Sequence, residues 1–342
     1  MATDDLKQLL ERHRAFWNGG GEKLLRRVTP HVPLQEKGSI PLADDSTATE
    51  GQYITPELIE PRRFYSEASK PGTVVNGDFI VGTGPPGLCW TEAILGCRVQ
   101  VVRGGPWAQP FLNDWTDIEP LKADEAWLEK LVEFVEFLAA RAGGSYPIVQ
   151  PLMRGPIDMM AAALGHERMC IALIEAPRQS DALLERAADF FVCTAARRLQ
   201  HTPTFEGGYL SSYGIWAPGR VVRTQVDNAT LLSPALYRER VLKHDLRVIE
   251  AFDYSLIHLH SGCLHIVDEL LPLKALKVIQ VSLDYPGGPL AADVLPILER
   301  ILQQKSLIVT GPVTEAELGD LEALEPPGRL CLQVEKLQGD ES

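Results

Sequence analysis

Short apolar runs alternate with amphipathic segments from about residue 73 onward, and this alternation restricts the fold of the 342-residue chain more than any other feature. The runs are rich in β-branched residues and are bounded by Gly or Pro, which predicts strands. The segments between them repeat apolar residues every three or four positions, which predicts helices. The predicted strands are TVVNGDFIVG, RVQVV, YPIVQPLM, GGYLSSYGI, VVRTQVD, SLIHLH, KVIQVSLD, SLIVTG and RLCLQV.

This repeat predicts an α/β fold with a single (β/α)8 barrel, because eight or nine strand–helix units follow one another without a linker. A doubly wound open sheet is the alternative. Ser180 and Ser233 are expected to cap two of the helices. We expect the barrel to span residues 73–342. Residues 1–72, a charged helix followed by a polar, turn-rich stretch, are expected to form no core of their own and to cover one end of the barrel or the cavity.

Composition narrows the class of partner. The formal net charge of −13, from 33 basic and 46 acidic residues, disfavours a surface for nucleic acid, which requires clustered Lys and Arg. No apolar run approaches the roughly 18 residues that span a bilayer. Six cysteines without CxxC spacing and a charged N-terminus without a signal region predict a cytoplasmic protein with reduced thiols.

The segment GTGPPG, residues 82–87, fits the GxGxxG pattern of dinucleotide-binding loops and follows a predicted strand. Pro85 and Pro86 remove two backbone N–H donors from the loop that would hold a pyrophosphate. We therefore interpret the segment as a turn leading into the helix WTEAILG.

Polar residues gather where the predicted strands end, and barrels of this kind assemble their sites at the carboxyl ends of their strands. The candidate catalytic residues are His260, Asp227 and Asp284. The candidate substrate-binding residues, which lie near the ends of two other predicted strands, are Arg154, Tyr209, Tyr213 and Trp216.

Three of the eight histidines lie within SLIHLHSGCLHI, residues 255–266. Residues two apart in a strand share a face, so His258 and His260 are expected to converge on one ion or one substrate. Cys331, inside the last predicted strand, could approach this pair across the mouth of a barrel. The alternative is that the histidines bond to neighbouring carboxylates and that Cys331 only packs.

Four segments resemble, in order and spacing, parts of the uroporphyrinogen decarboxylase superfamily: PPGLCWTEAILGC, YPIVQPLMRGPIDMMAAALG, RTQVDNATLLSPALYRERVLKH and SLIHLHSG. The resemblance runs from about residue 73 to residue 335. It implies a (β/α)8 barrel. Members of the superfamily include porphyrinogen decarboxylases and methyltransferases that move methyl groups between corrinoid proteins and thiols.

The chain is more similar to the methyltransferase branch than to the true decarboxylase. The decarboxylase has an arginine-rich RQAGR segment with no counterpart between residues 20 and 70, and it has a tyrosine where this chain has Ala162. The methyltransferase branch holds zinc with an HxC pair and a cysteine near the last strand. Carried over to this chain, the resemblance implies zinc on His258, His260 and Cys331, with histidine in place of the cysteine of the pair.

The expected function is zinc-dependent methyl transfer between a thiol and either a corrinoid protein or a small methylated molecule, with Asp227 and Asp284 supporting the histidines. A metal-independent lyase, using His260 as acid or base in a decarboxylation, remains an alternative. An amidohydrolase-type site is disfavoured because its HxH pair belongs to the first barrel strand. A non-catalytic binding barrel stays open, and a homodimer is the default assembly.

Overall fold

The computed structural model describes residues 3–32, 39–118 and 121–337. Its strands are numbered in chain order. They are β1 (Leu25–Pro30), β2 (Tyr53–Ile54), β3 (Val75–Asn76), β4 (Phe79–Ile80), β5 (Arg98–Val102), β6 (Gly105–Gln109), β7 (Tyr209–Leu210), β8 (Trp216–Ala217), β9 (Val221–Gln225), β10 (Tyr254–His260), β11 (Leu276–Ser282), β12 (Ser306–Val313) and β13 (Leu330–Lys336).

The helices bury apolar stripes with the period that the sequence predicts. Among the described helices, none is long and apolar enough to cross a membrane. They are α1 (Thr3–Trp17), α2 (Pro61–Phe64), α3 (Trp90–Leu95), α4 (Glu125–Ala142), α5 (Pro156–Leu164), α6 (His166–Glu175), α7 (Pro177–His201), α8 (Pro234–Leu236), α9 (Leu242–Glu250), α10 (Val267–Leu270), α11 (Ala291–Gln304) and α12 (Glu315–Glu322).

The two predicted helix caps have different outcomes. Ser233 caps α8, since its hydroxyl accepts from the N–H of Leu236 at 3.2 Å. Ser180 does not cap a helix, because α7 begins three residues earlier at Pro177. The Ser180 hydroxyl instead donates to the carbonyl of Ala172 in the preceding helix, at 2.7 Å.

Six parallel strands form the central sheet, in the order β1-β13-β12-β11-β10-β9. Strands and helices alternate along this part of the chain, as in repeated strand–helix units. The helices α9, α10, α11 and α12 come before β10, β11, β12 and β13, respectively. Parallel strands covered by such helices are rich in β-branched and other apolar residues, which is why β9 to β13 were predictable. The α/β class with a parallel sheet is therefore confirmed.

The sheet continues past β9 in an irregular way. The side-chain amide of Gln150 accepts from the Arg223 N–H at 2.8 Å and donates to the Arg223 carbonyl at 2.6 Å, in the place of a neighbouring strand. Parallel bridges then join Val149 to Leu210 and Thr83 to Ile148. This course is consistent with a barrel, although within the described residues the hydrogen bonds do not close a complete ring.

Part of the opening segment, residues 25–30, belongs to the sheet itself. Strand β1 pairs in parallel with β13, despite the two arginines in LRRVTP. Leu25 is buried, and two positions further on, on the same face, the Arg27 guanidinium lies over the Phe79 ring. Helix α1 packs Phe16 and Trp17 into the apolar cluster at this end of the sheet.

Two rows of side chains on one face of the sheet differ sharply in polarity. Six residues, one from each strand, pack in a single apolar cluster, and we name them the apolar layer. Two positions further along every one of these strands, the residue on the same face is polar and hydrogen-bonded, and we name this second set the polar layer. The apolar layer is Leu25, Val221, Leu256, Val278, Ile308 and Cys331; the polar layer is Arg27, Arg223, His258, Gln280, Thr310 and Gln333.

Candidate metal centre

His258 and His260 lie on the same face of β10, between β9 and β11, with ring centroids 4.8 Å apart. His258 belongs to the polar layer and is buried, whereas the His260 side chain is 42% exposed. His258 therefore lies in the interior, and His260 lies at the more exposed carboxyl end of the strand.

A hydrogen bond at Nδ1 orients each of the two imidazoles. The Oε1 of Gln280 accepts a hydrogen bond from His258 Nδ1, while Gln280 Nε2 donates to Thr310 at 2.9 Å. The Oδ1 of Asp284 likewise accepts from His260 Nδ1 at 2.7 Å. Because both acceptors occupy Nδ1, each neutral ring presents a lone pair at Nε2.

Asp227 reaches the pair from the turn that follows β9. Asp158, which is 1% exposed in the first turn of α5, holds this turn. Its carboxylate accepts from the N–H of Asp227 at 3.1 Å and from the N–H and side-chain amide of Asn228 at 2.9 and 2.8 Å. These bonds hold the main chain of the turn from which the Asp227 side chain projects.

The two oxygens of Asp227 have different surroundings. Gln225 Nε2 donates to Oδ2 at 2.7 Å. Oδ1 is buried and receives no hydrogen bond from the described residues, yet it lies 3.7 Å from His258 Nε2 and 3.8 Å from His260 Nε2. Asp227 Oδ1 therefore faces both Nε2 atoms from just beyond hydrogen-bond distance.

The ionisation states at neutral pH suit metal ligands. Burial, and then the nearby Arg223 charge, lower the pKa of His258 to about 3, so this imidazole is neutral. Burial and the charge of Asp158 raise the pKa of Asp227 to about 6, so its carboxyl group is largely ionised at pH 7.

The donor atoms of Asp227, His258 and His260 fit a divalent ion, since all three lie within 4.8 Å of one another. Two ligand atoms about 2.1 Å from a tetrahedral ion lie roughly 3.4 Å apart, a few tenths of an ångström less than the distances to Asp227 Oδ1. Two histidines and one carboxylate leave a fourth position for substrate, as in catalytic zinc sites.

Cys331 does not join this group, contrary to the expected ligand set. It lies in the apolar layer, is fully buried, and accepts only a long contact from Gln333 Nε2, at 3.7 Å. Burial also raises the pKa of its thiol to about 12, which disfavours the thiolate that zinc requires. Asp227 takes the position that the sequence analysis gave to Cys331.

The four predicted substrate-binding residues lie in different surroundings. Arg154 lines a cavity of about 250 Å³, and its Nε lies 3.3 Å from Glu92 Oε1. Tyr213 donates to Gln280 and so supports His258. Trp216 is 2% exposed and donates to the Phe205 carbonyl at 2.8 Å, which makes it a packing residue. The half-buried Tyr209, in β7, packs against the apolar clusters.

Sequence reasoning missed Asp158, Gln225 and Gln280. A usable signal was present for Asp158 and Gln280, which are polar residues inside mostly apolar elements, PIDMMAAAL and LKVIQVS. Gln225 lies in VVRTQ, a strand that is buried along its whole length. A polar side chain buried in such a setting needs a partner, and the partners here are the turn and the side chains of the candidate centre.

The fold resembles that of a solved protein, a methyltransferase from Methanosarcina mazei, with a TM-score of 0.63 and 12% sequence identity. The similarity covers 96% of this chain and 93% of that chain, so it includes the opening segment. At this identity it shows the fold alone. No protein-family profile matches the chain, and no curated protein matches it.

Proposed function

We propose that this protein is a zinc-dependent methyltransferase that binds zinc through Asp227, His258 and His260 and transfers a methyl group to a thiol. The observation that carries the proposal is the convergence of Asp227 Oδ1 and the two Nε2 atoms of His258 and His260, the first of them a buried carboxylate oxygen without a donor. When bound, zinc would lower the pKa of an incoming thiol, so that a thiolate is available at neutral pH.

The chain's own residues would hold this centre in place. Asp284 keeps the proton on His260 Nδ1 and is itself held by the N–H and hydroxyl of Ser261, at 3.1 and 2.9 Å. Gln280 does the same for His258. Such outer partners orient imidazole ligands and strengthen their basicity.

We further propose that Arg154 binds an anionic group of the substrate in the adjoining cavity. The main chain beside it packs so closely on β9 that a Cβ at Gly155 would lie 2.2 Å from the Gln225 carbonyl, which places Arg154 next to the strand that leads to Asp227. Burial alone would lower the Arg154 pKa, but acidic neighbours, with Glu92 the strongest and Asp227 among them, raise it. The guanidinium thus stays charged.

The methyl donor is proposed to be a corrinoid carried by a partner protein, or a small methylated molecule. Elemental analysis of untagged protein, followed by methyl transfer to a panel of thiols from each donor, tests the proposal. Zinc at one equivalent per chain, with thiol methylation lost in His260→Ala, is the expected result. Bound iron, or a chain that takes up no metal, would overturn it, since two histidines and one carboxylate also suit Fe(II).

The cavity has its own test. Gly87 lines it, and a Cβ there would meet no atom within 4 Å, so Gly87→Leu should fill the space without disturbing the fold. The expected result is a raised KM for the thiol in both Gly87→Leu and Arg154→Gln, with metal content unchanged. Gly72→Leu, at another open position, is the matched control.

A second candidate is a metal-independent lyase. It is favoured by one observation: the partly exposed His260, which is paired with Asp284, lies beside Asp227. The pKa of Asp227 is about 6, close to the ideal for a general acid. Decarboxylation of a small carboxylated substrate that survives exhaustive chelation would support this reading over methyl transfer.

A further inference from the structure

Within the described structure, the buried guanidinium of Arg223 forms no hydrogen bond or ion pair with a proposed metal ligand, yet hydrogen bonds lead from it toward two of the ligands. Arg223 lies in the polar layer of β9, and it is 7% exposed. Gln150 holds its N–H and carbonyl on one side, and β10 pairs with it on the other. The main chain of Arg223 is therefore held on both edges.

The first path leads to His258. Arg223 Nε donates to the Tyr213 hydroxyl at 3.4 Å, and this hydroxyl in turn donates to Gln280 Oε1. The same oxygen accepts a hydrogen bond from His258 Nδ1. Because Arg223 can only donate, the hydroxyl must direct its own proton at Gln280, and this arrangement strengthens Gln280 Oε1 as a fixed acceptor.

The second path leads to Asp227 and is shorter. Arg223 Nη1 donates to Gln225 Oε1 at 2.7 Å, and Gln225 Nε2 donates to Asp227 Oδ2 at 2.7 Å. The contact with Arg223 settles which end of the Gln225 amide faces the carboxylate. Asp227 consequently has Oδ2 occupied and Oδ1 open toward the histidines.

We infer that Arg223 is a positioning residue that orients His258 and Asp227 together, through Tyr213–Gln280 on one side and Gln225 on the other. The inference rests on the proposed metal centre. One guanidinium thereby sets the tautomer of one ligand and the open oxygen of another.

Removing Arg223 should change metal affinity in one direction if only its charge matters and in the other direction if it positions the ligands. A fixed positive charge near a bound dication opposes binding, so removing Arg223 would raise metal affinity if only its charge mattered. Removing an outer partner that orients ligands lowers metal affinity by roughly 10–100-fold. The direction of the change therefore separates the two explanations.

The experiment uses Co²⁺ as a spectroscopic probe on the full chain after metal has been stripped. Arg223→Met is expected to weaken Co²⁺ binding by about 10–100-fold and to change the visible absorption band of bound Co²⁺. Tyr213→Phe and Gln225→Met, which each cut one path, should have smaller effects, with Gln225→Met the larger of the two. Equal or tighter binding in Arg223→Met, with an unchanged absorption band, would overturn the inference.

A cycle of variants tests whether Arg223 acts through these two paths. In the Tyr213→Phe/Gln225→Met background, Arg223→Met should weaken binding no further, and the lost charge should even tighten it. A further full loss there would mean that Arg223 acts by another route. Arg27→Met is the matched control, because Arg27 is in the same layer but donates to Gln333 and lies over the Phe79 ring rather than bonding to Tyr213 or Gln225. Co²⁺ binding by Arg27→Met should match the wild type.

Failure of the proposed function would be visible separately, as absence of stoichiometric Co²⁺ binding by the wild-type protein. In that case ¹⁵N NMR of the imidazole nitrogens decides the inference without metal. His258 should carry its proton only on Nδ1 in the wild type and in Arg27→Met, and it should show a mixture of tautomers in Arg223→Met. A single Nδ1–H tautomer in Arg223→Met would refute the inference.

Discussion

The apolar layer and the polar layer lie two residues apart on the same six strands, and they do different work. Burial of a Val, Leu or Ile side chain stabilises the fold by roughly 1.5–3 kcal/mol. A hydrogen bond contributes only about 0.5–1.5 kcal/mol net, but a broken one leaves a buried group unsatisfied. The apolar layer therefore supplies stability, and the polar layer supplies the geometry of the candidate metal centre.

This difference explains the fate of Cys331. A one-position change along a strand would turn a side chain to the other face, whereas two positions keep the face and change the layer. Cys331 has the correct face but lies in the apolar layer, where it packs with Ile308 and Phe16. Gln333, two positions on, occupies the place in the polar layer.

The largest effect is expected from Asp227→Asn, which removes the charge of a proposed ligand and keeps its shape. Zinc affinity should fall by more than about 100-fold, since loss of an outer partner alone costs 10–100-fold. Stability of the metal-free protein should hold or rise, because the repulsion between Asp227 and Asp158 is relieved. Calorimetric zinc titration and denaturant unfolding measure the two; the exposed Asp268→Asn is the control. Undiminished zinc binding would remove Asp227 from the centre.

Ile308 and Thr310 allow the layers to be compared within one strand. Ile308→Ala should lower the free energy of unfolding by about 2–5 kcal/mol through a cavity in the apolar layer, while zinc affinity stays the same. Thr310→Val should cost about 1–3 kcal/mol by leaving the Gln280 amide unsatisfied, and should weaken zinc binding through His258. The reverse pattern would show that the layers do not divide these roles.

Lowering the pH should destabilise the fold through His13, which lies in α1, the helix that packs on the apolar layer. Its two ring nitrogens bond to the Asp78 carbonyl and to the Trp216 N–H, and burial lowers the pKa of His13 from 6.5 to about 4. Between these values the unfolded state binds more protons, so stability falls by roughly 3 kcal/mol as pH drops from 6.5 to 4. Unfolding of His13→Gln across this range should depend less on pH than the wild type; identical slopes would contradict this assignment.

The smallest effect is expected from Cys331→Ala. Its stability cost should be about 1 kcal/mol, as for an average substitution, and zinc affinity should stay within about twofold of the wild type. Zinc titration of the variant beside Cys170→Ala, a cysteine of α6, gives the comparison. A large loss of zinc confined to Cys331→Ala would restore the thiolate ligand.

Strands β9 to β13 were predictable because each is rich in β-branched or other apolar residues, and composition is local information. Strand β1 was not, since LRRVTP looks polar and becomes a strand only through its pairing with β13. The segment YPIVQPLM looks like a strand, yet within the central sheet the Gln150 side chain replaces its main-chain pairing.

The candidate centre shows the same limit. The HxH spacing places His258 and His260 on one face, and this could be read from the sequence. Which side chains meet them depends on the register between strands separated by dozens of residues. Register sets Gln280 beside His258, and the turn held by Asp158 sets Asp227 opposite both rings. Neither relation is contained in local spacing.

X-ray absorption spectroscopy of the zinc-loaded protein tests the central claim most directly, because sulfur and nitrogen or oxygen ligands differ in distance and scattering. We expect only nitrogen and oxygen ligands, at roughly 2.0–2.2 Å, in protein kept free of added thiols. This pattern should be lost in Asp227→Ala and kept in Cys331→Ala. A sulfur shell near 2.3 Å that disappears in Cys331→Ala would contradict the account.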